Sequence, residues 1–308
     1  MILSASYRTD IPAFYGAWFQ NRLDAGSCLV ESPHGGKPAK LSLRPDAVEA
    51  FVFWTRNIAP FAPALEKVRA TGTPFMVTHT LTGYPKELEP RVIDAGRALA
   101  AMRDLADRFG PRVLVWRYDP ILVTSLTPLD WHRENFRTLA QGLRGATDEV
   151  TVSFAHIYRK TARNLGAAAK LGGFDWTDPP VSAKRALIAD LADIARSYQM
   201  RLTVCSQPEF QPEGVAAARC IDPHRLAAIA GRPIPHRLKG NRPDCACAES
   251  RDIGAYDSCP QGCVYCYAVG TRAKARARAH SHDPWAESLI PGLVSHASAQ
   301  SDLFAVKP

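Results

Sequence analysis

The chain has 308 residues, of which 46% are hydrophobic and 22% charged, with a formal net charge of +8. That composition excludes a disordered polar chain, and no apolar run approaches the ~20 residues of a membrane-spanning helix, so no membrane partner is expected. The length suits one α/β domain, for which ~250 residues is routine, with an appended segment.

The opening "MILSASYRTD" has no basic start followed by a long apolar core, so a cytoplasmic location is expected. Six short apolar or β-branched segments then recur along the chain: "ILSASYRTD", "FVFWTRN", "FMVTHT", "VLVWRYDP", "VTVSFAH" and "LTVCSQPE". Each is predicted to be a buried strand. Helical patterns lie between them, clearest in "ELEPRVIDAGRALAAMRDLADRFG", stopped by Gly110, and "VSAKRALIADLADIARSYQM". One segment, "SCLVESPHGGKPAKLSL", reads as a hairpin inserted after the first helix, with Cys28 an ordinary buried thiol.

Strand and helix alternating this often predict a parallel sheet. The expected fold is α/β, a TIM-like partial barrel of six β/α units, because nearly every strand ends in chemically capable groups. These are Arg8 and Asp10, Arg56, His79, Arg117 and Asp119, Ser153 and His156, and Cys205. A barrel gathers such ends at one mouth, whereas an open doubly wound sheet gathers only those at its switch point. Arg8, Asp10, Arg56, His79, Arg117 and Asp119 are therefore the candidate catalytic residues. The arginines suit a polar or anionic substrate, although "RTD" and "RYD" equally suit Arg to Asp bridges. His79 is either a proton relay or a neutral packing residue.

Beyond Cys205 the alternation fades. "IDPHRLAAIAG" reads as a helix capped by Asp222, followed by the Pro-rich "RPIPHRLKGNRPD". The basic run "TRAKARARAH" reads as a helix with charges spread around its axis, a solvated surface rather than a phosphate-binding face. The expected division is a barrel over residues 1–210 and a cysteine-rich segment over 211–308, packed on the barrel mouth.

Five of the eight cysteines fall between Cys245 and Cys266, in "CACAESRDIGAYDSCPQGCVYCYA". In a reducing compartment such thiols are metal ligands or redox groups before they are disulfides. Zinc sites favour two short pairs, and only Cys263 and Cys266 have that spacing. An iron-sulfur cluster is larger and accepts varied spacings, and Pro260 and Gly262 suit a tight loop around one.

The spacing Cys-x3-Cys-x-aromatic-Cys, met by Cys259, Cys263, Tyr265 and Cys266, resembles the signature of the radical S-adenosylmethionine superfamily. That resemblance implies a [4Fe-4S] cluster on Cys259, Cys263 and Cys266, with one iron open to S-adenosylmethionine, a partial barrel around it, and Tyr265 and Tyr267 near the cofactor. Here the motif follows the sixth strand instead of the first, and no Gly-Gly-Glu counterpart is found. Over residues 1 to about 285, "SYRTDIPAFYG", "FWTRN", "VWRYDP", "YRKT" and the C-terminal cysteine run resemble the domain-of-unknown-function 1848 family. That family carries a similar C-terminal cysteine cluster and no established substrate.

With Cys28 set aside, seven cysteines divide into three for an open cluster and four for a closed one. Cys205, Cys220, Cys245 and Cys247 form the second candidate set, for a second [4Fe-4S] cluster, or else are buried thiols and loop residues. The expected function is an iron-sulfur enzyme that cleaves S-adenosylmethionine reductively and starts radical chemistry on an unknown polar or anionic substrate. A flavodoxin or ferredoxin is the expected type of electron donor. Two alternatives stand beside it: a non-catalytic iron-sulfur redox or nucleic-acid-binding protein, and a barrel metal hydrolase with structural zinc.

Overall fold

A computed structural model describes residues 1–32, 37–240 and 243–291. Eight strands form one parallel sheet: β1 (Ile2–Ala5), β4 (Ala50–Thr55), β5 (Phe75–Thr80), β6 (Leu114–Ile121), β8 (Glu149–Phe154), β10 (Arg201–Val204), β11 (Ala216–Ala217) and β12 (Ser250–Asp252). Their order across the sheet is β11-β10-β8-β6-β5-β4-β1-β12. The six strands read from the sequence are its centre, each beside its neighbour in the chain. The antiparallel hairpin of β2 (Ser27–Val30) and β3 (Ala39–Ser42) is present as expected, while its turn, with most of "HGGKP", lies outside the described residues. Short β7 (Val123–Thr124) and β9 (Trp176–Thr177) pair separately.

Side chains alternate across a strand, and here the two faces meet different partners. Phe51 and Phe53 of β4, Val77 of β5 and Trp116 of β6 face a core shared with the helices, including α2 (Gly16–Ala25), α3 (Ala62–Ala70), α4 (Ala95–Phe109), α5 (Leu129–Leu143) and α7 (Val181–Ser197). Phe19, Phe53 and Phe61 meet there with ring centroids 5.0–5.4 Å apart. Ile2, Ala50, Val52, Met76 and Val115 face the other way, onto Leu226 of α8 (Pro223–Ala230), Cys205, Cys220 and Cys247. Asp222 caps α8 through the His224 N–H, as expected.

Two expectations are refined. The sheet does not close into a barrel among the described residues: β11 and β12 are its edges, and α8 with the segments around Cys220 and Cys247 covers its second face. The helix expected from residue 87 starts at Ala95, because Asp94 caps it through the Arg97 N–H. Pro90 cannot donate within a helix and disfavours helical conformation at the residue before it, and Glu89 lies outside α4. Glu89 is thereby released to another task.

Strands from both sides of residue 210 share the sheet. β11 pairs with β10, and β12 pairs with β1 in register Ile2 to Ser250. The basic run is α9 (Arg272–His280), as its pattern predicts. α6 (Arg159–Gly172) and the short α1 (Ile11–Phe14) complete the helices used below.

Candidate active site

In a parallel sheet the strand C-termini lie along one edge, and the loop carrying Cys259, Cys263 and Cys266 is fastened there. Asp10, just after β1, is the first anchor. Its carboxylate accepts hydrogen bonds from the Ala13 N–H (3.1 Å), the Arg56 N–H (2.9 Å) and the Gln261 amide (3.0 Å). Burial raises its pKa above the ordinary range against these donors. Asp10 thus ties β1, β4 and the cysteine loop together.

Arg56 supplies the second anchor. Its guanidinium donates to Glu89 Oε1 (2.7 Å), the Tyr265 hydroxyl (2.6 Å) and Thr82 Oγ1 (3.3 Å), while the Thr82 and Tyr265 hydroxyls also donate to Glu89. Tyr265, the aromatic residue of the cysteine motif, is buried and works as a strut. Further fastenings are the Tyr15 hydroxyl to the Ser258 carbonyl (2.6 Å) and the Val264 N–H to the Leu88 carbonyl (3.1 Å).

Gly262 turns the loop between Cys259 and Cys263 with φ of +80°, a left-handed value that strains any residue with a Cβ. The three thiols then line one cavity of about 340 Å³ with Gln261, Thr271, Arg272 and, from α6, Arg163 and Asn164. Burial pushes the Cys263 thiol up to about 12 against the opposing pull of Arg56, and raises Cys259 and Cys266 in the same direction. α9 is partly recruited to this site. Lys274 bonds Asp257 (3.0 Å) and Arg278 bonds the Tyr256 carbonyl (3.0 Å), while Arg276 is exposed.

Other candidates gather at Asp252 and Arg117. The buried Asp252 carboxylate accepts from Ser4 and Ser6 hydroxyls (3.1 and 2.7 Å) and from the Tyr7 and Gly254 N–H groups (3.0 and 2.9 Å). Arg8 Nε stands 3.7 Å from it, and its guanidinium lies over the rings of Tyr7 and Tyr256. The bridge partner of Arg8 is therefore Asp252, 244 positions along the chain, instead of Asp10. Arg117 does pair with Asp119, which also accepts from Ser153, and it stacks 4.9 Å over Trp54. Tyr267 donates to the Tyr7 carbonyl at 2.6 Å.

His79 sits apart. It shares the helix-covered face of β5 with Phe75 and Val77, is fully buried, and neither ring nitrogen makes a well-aligned hydrogen bond among the described residues. Burial, with Arg56 nearby, lowers its pKa to about 3, so it is neutral. His156 is on the Gln207 amide at 3.3 Å.

Cys28 is buried in the helix-side core, and Cys205, Cys220, Cys245 and Cys247 come together beyond β10. Cys205 Sγ is 3.5 Å from Cys220 Sγ, and Cys247 and Cys245 pack in one cluster with them. No disulfide joins any of the eight cysteines. Among the described residues, no group of three or more His, Cys, Asp or Glu side chains is arranged to hold a single metal ion.

Sequence reasoning missed Glu89, Asp252, Gln261, Tyr7 and Tyr256. Glu89 carried one signal, the proline after it; Asp252 carried none, since its side-chain partners Ser4, Ser6 and Arg8 lie at the other end of the chain. Comparison with curated proteins and with solved structures finds no match. A family model does match, over residues 2–268, and so the chain belongs to the family described as a domain of unknown function, DUF1848.

Proposed function

We propose that the protein is an iron-sulfur enzyme in which Cys259, Cys263 and Cys266 hold a [4Fe-4S] cluster and S-adenosylmethionine binds beside it. The observation that carries this reading is that three thiols from one short loop line a single cavity. Thiols spread along a cavity wall suit a multi-iron cluster, whose ligands stand farther apart than those of a lone ion. The chemistry supplied there when a reduced cluster is bound is one-electron cleavage of the sulfonium, to methionine and a 5'-deoxyadenosyl radical.

The chain's own residues do the holding and orienting. Asp10, Arg56, Glu89 and Tyr265 fix the loop, so that its thiols keep one geometry before any metal arrives. Arg163 and Arg272 in the cavity wall supply cationic donors suited to a carboxylate such as that of S-adenosylmethionine. Arg8, sandwiched by Tyr7 and Tyr256, and Arg117 with Asp119 orient a polar or anionic substrate. The six central strands lie side by side in chain order, with α2, α3, α4, α5 and α7 packed on one face, which supports an open, TIM-like winding. Residues 211–308 act as its cysteine-bearing segment. The compartment of such chemistry is reducing and cytoplasmic, and the electron donor a flavodoxin or ferredoxin.

The test is electron paramagnetic resonance on anaerobically purified, dithionite-reduced protein with and without S-adenosylmethionine, together with iron and sulfide analysis. The expected result is a [4Fe-4S] signal whose shape changes with S-adenosylmethionine, and loss of all cleavage to 5'-deoxyadenosine in Cys263→Ala. A signal indifferent to S-adenosylmethionine overturns the enzyme in favour of an electron carrier. Zinc without iron overturns it in favour of a structural or hydrolytic metal.

A further inference from the structure

Cys205, Cys220, Cys245 and Cys247 come from three separate stretches of chain, and backbone hydrogen bonds bring those stretches together. The Cys205 N–H still bonds the Val152 carbonyl on β8, the Ala218 N–H bonds the Val204 carbonyl on β10, and the Ala248 N–H bonds the Ile221 carbonyl. The thiols thus meet on the second face of the sheet, on Ile2, Ala50, Val52, Met76 and Val115.

A buried thiol in an apolar core is ordinarily a small hydrophobe. Two observations set these four apart. First, a charged donor reaches into the group: Arg117 Nη1 stands 2.7 Å from Cys220 Sγ, with the guanidinium buried. Asp119 pairs with the Nη2 side of this guanidinium, while Nη1 is turned to the sulfur; four thiolates around a metal carry net negative charge that such a donor offsets. Second, the Ile221 N–H points at Cys247 Sγ at 3.4 Å, the kind of backbone donor that surrounds ligand sulfurs and tunes them.

From this convergence we infer that Cys205, Cys220, Cys245 and Cys247 form a second metal centre of four-thiolate ligation, distinct from the site of Cys259, Cys263 and Cys266. Its occupant is a thiophilic metal, either a zinc ion or a preassembled iron-sulfur cluster. Cys205 and Cys220 are in thiol contact, with Cys247 and Cys245 packed beside them. On metal binding each S–H proton leaves to solvent as a sulfur-metal bond forms, four protons for four bonds. Rotation about the Cys side-chain torsions turns the contacts inward. The centre staples β10, the segment before α8 and the loop before β12 to one another, beside the Arg117–Asp119 pair that the proposed substrate site uses.

The experiment uses the full chain with Cys259, Cys263 and Cys266 all replaced by alanine, purified anaerobically, so that its outcome does not depend on the first cluster. Iron, zinc and acid-labile sulfide are measured per chain. The expected result is one retained centre, about four irons with about four sulfides or about one zinc, abolished by adding Cys220→Ser. The sulfide measurement tells the two occupants apart. Metal at background, or metal that Cys220→Ser leaves unchanged, overturns the inference. Should the triple variant not fold, Cys245→Ser in the otherwise native chain, at a half-buried loop position, gives the same reading. It loses one centre's metal relative to the native protein, and unchanged content overturns the inference equally.

Discussion

Glu89 shows how a single side chain governs the site. It is buried and receives hydrogen bonds from Arg56, Thr82 and Tyr265. Glu89→Gln keeps the shape but leaves the Arg56 guanidinium buried without its counter-charge, a change that costs about 3 kcal/mol when one partner of a buried pair is lost. The variant is expected to melt at a lower temperature and to bind less iron per chain, because Tyr265 and the cysteine loop lose their strut. Circular dichroism melts and iron analysis check both; an unchanged melting temperature makes the pair dispensable.

At the scale of elements, α5 is joined to β6 through His132. The fully buried imidazole meets the Tyr118 hydroxyl at Nδ1 (2.7 Å) and the Leu122 carbonyl at Nε2 (3.1 Å). A carbonyl only accepts, so Nε2 carries the proton and Nδ1 accepts from Tyr118. Burial lowers the pKa of His132 to about 4, against ~6.5 in an unfolded chain. The unfolded state therefore takes up a proton first as pH falls. The stabilisation from the neutral ring is full above pH ~6.5 and is lost progressively down to about pH 4, at most about 3 kcal/mol. Urea titrations at pH 7.5 and pH 4.5 should show this loss reduced in His132→Gln. An equal loss in both proteins assigns the acid sensitivity to other groups, His79 first.

At the scale of the whole molecule, the sheet depends on strands from both ends of the chain. β11 and β12 form its two edges, and α8 with the Cys220 and Cys247 segments covers Ile2, Val52, Met76 and Val115. A chain ended at residue 210 exposes that face, each large side chain losing roughly 1.5–3 kcal/mol of burial. It is expected to aggregate or to melt without cooperativity, checked by size-exclusion chromatography and thermal circular dichroism. A monomeric fragment with a sharp melt makes residues 1–210 an autonomous unit.

The six central strands, the hairpin, the Asp222 cap and the end of α4 at Gly110 were all legible in the sequence. Alternation, helical spacing and capping are local, and burial enforces them wherever they occur. The spacing of Cys259, Cys263 and Cys266 was legible for the same reason: one short loop carries all three. Only the tertiary structure decided the rest. β11 and β12 are too short to declare themselves and exist because an unpaired sheet edge is there to receive them. Arg8 pairs with Asp252 and not with Asp10, since proximity in the chain says little about direction off a strand end. Glu89 reaches Arg56 because Pro90 breaks the helical pattern around it. Cys205, Cys220, Cys245 and Cys247 were grouped from the sequence by count alone; where they meet was decided by topology, the chain crossing back beneath the sheet.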